Sequence, residues 1–306
     1  MSDPPSTGLR YDTVTFLSDY GTADEFVGIV KSVIRQLAPG VDVIDLTHEI
    51  PPFDVRAGGL TLARSVQYAC PGVILAVVDP GVGTDRRPIA IEVAGGAAVL
   101  VGPDNGVLAA AAGMIGGADR AVVLDNPEYR LESPGPTFDG RDVFAPAAAH
   151  LCNGVPLDEL GTPISPALLT PGMMPLTRPD GDELVAEVLW IDRFGNAQLN
   201  VDPAEIEGWG DRIGLTIGGS ARTSRRARTF ADIAVGELGC IVDSYGLITV
   251  IANRASAAEM LGLADGDEVR LRRLLDDDEV AARPTPTKVA LGPSRTNPEA
   301  HARRDS

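Results

Sequence analysis

Cysteine is scarce in this chain: Cys70, Cys152 and Cys240 are scattered through 306 residues, in apolar contexts. No CxxC pair and no His/Cys spacing of the metal-binding kind occurs, which speaks against a disulfide framework and a zinc site. The three thiols are expected to be small buried hydrophobes in a reducing cytoplasm. Long apolar runs are also missing. Nothing approaches the roughly 18 residues of a membrane span, and the opening MSDPPSTGLR has no apolar signal core. The expectation is a cytoplasmic protein that does not enter a membrane. Positive charge is in deficit, the net charge being −17. An acidic surface repels nucleic acid and anionic lipid, and suits a cationic small substrate.

What is present divides the chain in two. Strand-like YDTVTFLSD (11–19), a helical period over 24–37, strand-like 41–47, a helix over 54–69 and strand-like 72–79 alternate in the manner of an α/β fold with a largely parallel sheet. Further strands are expected at 88–93, 97–102 and 120–125, and a helix at 141–154. PGMMPLTRPDGDE (171–183) reads as a linker. Beyond it lie short apolar runs separated by turn signals: LVAEVLWID, NAQLNV, RIGLTIGG, LGCIVDS, LITVIAN and EVRLRRL. They predict a smaller, β-barrel-like second domain. The resulting division is an N-terminus without structure (1–10), an α/β domain (11–170), the linker, a β-rich domain (184–273) and a polar, Pro-rich disordered tail (274–306).

The stretch VVDPGVGTDRRPIAIEV (77–93) carries the first chemical signal. A glycine-rich loop after a strand suggests phosphate, but the Lys-Ser/Thr of a P-loop is absent, and the loop runs into another strand rather than a helix. No GxGxxG follows the first strand either. Asp79 stands at the carboxyl end of a central strand, where open α/β sheets place ligands. Gly81 and Gly83 let the backbone turn back, so that Arg86 can reach Asp79. Two readings of the pair are open: a brace for the loop, or a carboxylate and guanidinium holding a small polar reactant. Other polar strand ends are Asp19 in FLSDYGTADEF, Asn105 in VGPDNGVL, TFDGRD (137–142) and WIDRFGN (190–196).

Taken together, FLSDYGTADEFVG, LTHEIPPFDV, VVDPGVGTDRR, VGPDNGVL, TFDGRDVFAPAAAHL, WIDRFGN, TFADI and SYGLITVIANRASAAE, in this order over 11–273, resemble the SAM hydroxide adenosyltransferases, relatives of the bacterial fluorinase and chlorinase. The resemblance implies an α/β domain followed by a β-rich domain. It also implies a homotrimer with sites between one subunit's N-terminal domain and its neighbour's C-terminal domain. The implied reaction is attack of water or hydroxide on ribose C5′ of S-adenosyl-L-methionine (SAM), giving adenosine and L-methionine.

By the same resemblance Asp79 and Arg86 orient the nucleophile, Asp19 holds the ribose hydroxyls, Phe53 stacks near the ribose or adenine, and Asn105 touches the sugar. Asp192 and Asn196 lie near the methionine ammonium and adenine. Phe230 and Asn253 to Ala255 form the adenine slot, with Ser244 and Asp24 on the methionine side. The leaving group is already a sulfonium, so neither a metal nor a cofactor is required.

One position departs from the family motif: Asp139 stands in TFDGRD where the hydrolases have histidine. A second carboxylate can share a proton with Asp79 or weaken it as a base. Neither His48, His150 nor His301 fits the motif. Three alternatives follow: a SAM-dependent halogenase, which a carboxylate at position 79 opposes because it repels halide; a SAM or adenosine binder with little turnover; and, without the family, a metal-dependent hydrolase built on Asp19, Asp79 and Asp142.

Overall fold

The computed structural model describes residues 8–274. The expected disordered tail, most of the expected unstructured N-terminus and His301 lie outside the described residues. The first domain opens with β1 (Thr13–Ser18), α1 (Phe26–Leu37), β2 (Asp42–Thr47), α2 (Val55–Val66) and β3 (Gly72–Val77). It continues with β4 (Pro88–Val93), β5 (Ala98–Pro103), α3 (Ala109–Met114), β6 (Ala118–Val123), α4 (Ala145–Cys152) and β7 (Thr162–Ile164). The seven strands form one sheet in the order β2-β1-β3-β5-β4-β6-β7.

Alternation along the strands sends side chains to two cores. Phe16 and Leu75 pack with Val30 and Ile34 of α1 and with α4. Their neighbours Leu17 and Ile74 pack with Leu62 of α2 and Ala111 of α3. Every residue of β3 is buried, as befits a central strand covered on both faces.

The α/β expectation holds, with one difference. β2, β1, β3 and β5 are parallel neighbours, whereas β5–β4, β4–β6 and β6–β7 are antiparallel. The reason is the link between β4 and β5, a single turn over Ala94–Gly96. A parallel crossover needs a dozen or more residues, so so short a link returns the chain as a hairpin.

The second domain comprises β8 (Arg178–Asp180), β9 (Glu183–Ile191), β10 (Ala197–Leu199), β11 (Arg212–Ile217), β12 (Ser220–Arg226), β13 (Leu238–Val242), β14 (Ile248–Ala252), α5 (Ala257–Leu261) and β15 (Glu268–Arg273). β10 pairs with both β14 and β9. The strands β10-β14-β13-β12-β11-β15-β9 therefore close into a seven-stranded barrel, with β8 added outside β9. Closure removes the free edges that an open sheet of short strands would expose. β8 falls inside the 171–183 stretch and turns into β9 through Gly181.

Of the cysteines, Cys152 and Cys240 are buried as expected, but Cys70 is exposed because it sits in the turn after α2 rather than inside an element. Among the described residues no helix is long and apolar enough to cross a membrane.

Candidate active site

The ends of β1 and β3 lie side by side, so the acids that follow them meet at the carboxyl edge of the sheet. Asp19, Tyr20, Phe26, Pro52, Phe53, Asp79, Val82, Phe138, Asp139 and Gly140 line a cleft of about 270 Å³ there. Behind this lining, Arg86 Nε donates to Asp79 Oδ1 at 3.1 Å, and Nη2 donates both to Asp79 Oδ2 and, at 2.7 Å, to Asp139 Oδ2. The side chains of Arg86 and Asp79 are 8% and 7% exposed, that of Asp139 19%. The loop reaches this geometry because Gly83 adopts φ +77°, where a Cβ would stand 2.8 Å from the Pro136 carbonyl oxygen. As the sequence requires, the loop continues into β4, not into a helix.

Electrostatics follow from burial and from the shared cation. Burial pushes the Asp79 carboxyl above the usual carboxylate range. The Arg86 guanidinium opposes that shift, and the nearby Asp139 charge adds to it. With both carboxylates ionised, one guanidinium against two acids leaves the cluster one net negative charge. Arg86 Nη1 is buried without a hydrogen-bond partner among the described residues, a donor of the kind that is rarely left unused. The Tyr20 phenol is pushed up by burial and then by Asp19, Asp79 and Asp139, so it stays a neutral hydroxyl.

Asp139 owes its position to an irregular helix start. Gly140–Phe144 forms a π turn that runs into α4; such turns recur where a side chain must be aimed at a site. Gly140 is needed there, because a Cβ would sit 2.2 Å from the Tyr20 hydroxyl. Across the cleft the Phe53 backbone N–H donates to Asp19 Oδ2 at 2.9 Å. Phe53 has φ 69°, in the left-handed region that a bulky residue avoids, and the residue is 72% exposed.

Asp19, Phe53, Asp79, Arg86 and Asp139 are thus brought together. Asp24 is exposed and outside the cleft lining. Asn105 is engaged with backbone: its Nδ2 donates to the Val78 carbonyl at 2.8 Å and its Oδ1 accepts from Val107 N at 3.2 Å. It borders a separate hollow with Met173 and Met174.

The remaining expected residues sit on the barrel and are not among those lining this cleft. Asp192 holds its own turn, accepting from Phe194 N, Asn196 N and Asn196 Nδ2. Phe230 begins the turn Phe230–Asp232. Ser244 is exposed in a turn that Asp243 organises. Asn253 Nδ2 donates to the Ile233 carbonyl at 2.6 Å, and Ala255 is exposed.

Three aromatic lining residues escaped the sequence reading. The rings of Tyr20, Phe26 and Phe138 stand 5.1–5.8 Å apart as one aromatic wall. The available signal was their place inside the motifs that carry Asp19 and Asp139. Asp142, an acid of the metal alternative, gives both oxygens to Arg141, at 2.6 and 2.9 Å. Among the described residues no group of three or more His, Cys, Asp or Glu converges as a metal site.

Comparison with known proteins places this geometry in context. The model of the SAM hydroxide adenosyltransferase N-terminal domain matches residues 14–161, and that of the C-terminal domain residues 186–270. An (R)-S-adenosyl-L-methionine hydrolase of Salinispora arenicola is 45% identical over 258 residues, 84% of this chain and 97% of the relative. A fluorinase of Nocardia brasiliensis is 28% identical over 303 residues, 87% of this chain and 99% of its own. A solved structure of an uncharacterized conserved protein from Thermotoga maritima superposes with a TM-score of 0.78 at 32% identity, covering 85% of this chain and 100% of that one.

Proposed function

The chain belongs to the SAM hydroxide adenosyltransferase family, and on that premise we propose that it hydrolyses (R)-S-adenosyl-L-methionine to adenosine and L-methionine. A water oxygen attacks ribose C5′ as the C5′–S bond breaks. The bonding pair leaves with sulfur, which becomes the neutral thioether of methionine, and the water proton passes to a carboxylate. Asp79 is the acceptor. Arg86 keeps it in place, and its guanidinium charge stabilises the emerging hydroxide. Asp139 shares the same guanidinium and takes the place of the family histidine. Asp19 grips the ribose hydroxyls, and Phe53 stacks on the nucleoside.

The observation that carries this reading is the Asp79–Arg86–Asp139 cluster under the cleft that Asp19 and Phe53 border. It favours water over halide, since two fixed carboxylates repel an anionic nucleophile, and it attracts a sulfonium. The site takes its remaining contacts from the barrel of a second copy in a homotrimer: Asp192, Asn196, Phe230, Ser244 and the segment from Asn253 to Ala255. Supporting this, a chain's own barrel rests on α2, through Arg56–Glu187 and the Arg64 guanidinium 4.3 Å over the Trp190 ring. The cleft's aromatic wall rises instead on the α1/α4 side. The unpaired thiols accord with a cytoplasmic location.

The test is incubation with SAM in halide-free buffer, following adenosine by chromatography, then repetition with fluoride or chloride. Adenosine formation that collapses in Asp79→Ala supports hydrolysis. A 5′-halo product would make the protein a halogenase, and bound nucleoside without turnover would make it a binder.

A further inference from the structure

His48 follows β2 in the LTHEI stretch and is 5% exposed, its ring centroid 4.7 Å from that of Phe16. Buried imidazole nitrogens need partners. Nδ1 lies 2.8 Å from Ser18 Oγ, itself fully buried. The Tyr20 backbone N–H donates to the same Ser18 oxygen at 3.3 Å. With one proton and two lone pairs, the Ser18 hydroxyl serves both contacts, its role toward Nδ1 following the ring's tautomer. Nε2 stands 3.2 Å from Asp45 Oδ1, close enough for attraction though not aligned as a hydrogen bond. Asp45 is anchored by Lys31 Nζ at 2.8 Å. From its backbone, the His48 carbonyl accepts from Gly21 N at 2.7 Å.

Asp45, His48 and Ser18 thus follow one another as in a hydrolytic triad, but Ser18 is sealed in the core and does not line the cleft. What the relay does touch is the turn over residues 18–21. His48 grips that turn at its start through Ser18 and at its end through Gly21. Between those points lie Asp19, whose carboxylate fixes Phe53, and Tyr20, whose hydroxyl packs on Gly140.

We propose that His48 is a positioning residue, acting through Ser18 and Gly21 to aim the Asp19 carboxylate at the ribose diol. This rests on the reading of Asp19 as the diol-binding acid. A carboxylate shifted by a fraction of an ångström loses one of its two hydrogen bonds to a diol, while the Asp79–Arg86 pair, held by its own bidentate contact, keeps its geometry.

The experiment compares binding of adenosine and 2′,3′-dideoxyadenosine, with SAM kinetics alongside, in wild type, H48Q, H48N, S18A and D19A. H48Q removes the partner of Ser18; H48N keeps one, its amide standing in for Nδ1. The expected result for H48Q and S18A is a KM for SAM and a Kd for adenosine raised about tenfold or more, dideoxyadenosine affinity unchanged, and kcat near wild type. H48N should stay close to wild type in all three. Equal losses for the two nucleosides, or a fall confined to kcat, would overturn the proposal, as would unchanged behaviour of both H48Q and S18A. Should H48Q lose its cooperative melt, S18A, which deletes one oxygen, carries the comparison. D19A separates the two levels. If D19A weakens both nucleosides equally, the diol reading of Asp19 falls and takes this inference with it. If D19A weakens adenosine alone and S18A and H48Q do not, the inference alone falls.

Discussion

Asp79 and Arg86, seven positions apart in sequence, form a bidentate pair that Asp139 joins from a different element. A buried acid whose pKa is raised is a serviceable base only above that raised value. Activity is therefore expected to rise on an acid limb lying above the ordinary carboxylate range, since burial holds the Asp79 proton. Because the Asp139 charge contributes to the upward shift, Asp139→Asn should move the acid limb of kcat/KM to lower pH. An unmoved limb would mean that Asp79 is not the titrating base. Asp79→Asn should lower kcat by about 10²- to 10⁴-fold, read as adenosine formed per minute.

Stability carries the same group with a definite sign. In the window between the unfolded carboxylate value and the raised folded one, the native state binds more protons than the unfolded state, so stability falls as pH rises. Asp79→Asn should flatten that part of a Tm-against-pH curve.

At the scale of elements, the π turn before α4 approaches the β1 end closely where Gly140 lies under the Tyr20 hydroxyl. Gly140→Ala should destabilise the fold by about 1–3 kcal/mol through overpacking and displace Asp139 from Arg86. Tyr20→Phe should recover part of the loss. With the hydroxyl gone, the nearest remaining Tyr20 atom to the new methyl is Cζ at 3.1 Å. A thermal-melt double-mutant cycle measures that coupling, and strict additivity would contradict it.

Much at this scale was legible in the sequence. β1, α1 and β3 announce themselves by period and burial, and acids at strand ends identify the cleft because topology puts those ends on one edge. The antiparallel half of the sheet was hidden by the length of one link, and β12 by composition, since SARTSRR buries only Ser224. Asn105 shows why a polar strand end is not by itself a ligand group: its amide is committed to backbone on both sides. The left-handed Phe53 could not be read from PPFDV, because the conformation is imposed by the Asp19 acceptor across the sheet edge.

At the scale of the whole molecule, the two halves of the expected site stand apart within one chain. Asp79, Arg86 and Asp139 occupy the sheet edge, while Phe230 and Ser244 are exposed on a barrel that contacts its own domain along α2. A cleft that binds an entire nucleoside and amino acid needs walls on more than one side, and a cyclic assembly supplies the same barrel surface to every cleft. Complementation tests this directly. Asp79→Ala disables the α/β half, and the double change Phe230→Ala with Ser244→Ala alters only exposed barrel side chains. Each is expected to be nearly inactive alone. When the two variants are co-expressed and purified together, a working site needs its α/β half from one and its barrel from the other, so about one site in four should be intact. Recovery near that fraction, with a trimeric mass by light scattering, locates the site between subunits. No recovery from a mixed trimer would place both halves of the site within a single chain and require the barrel to swing from α2 to the cleft.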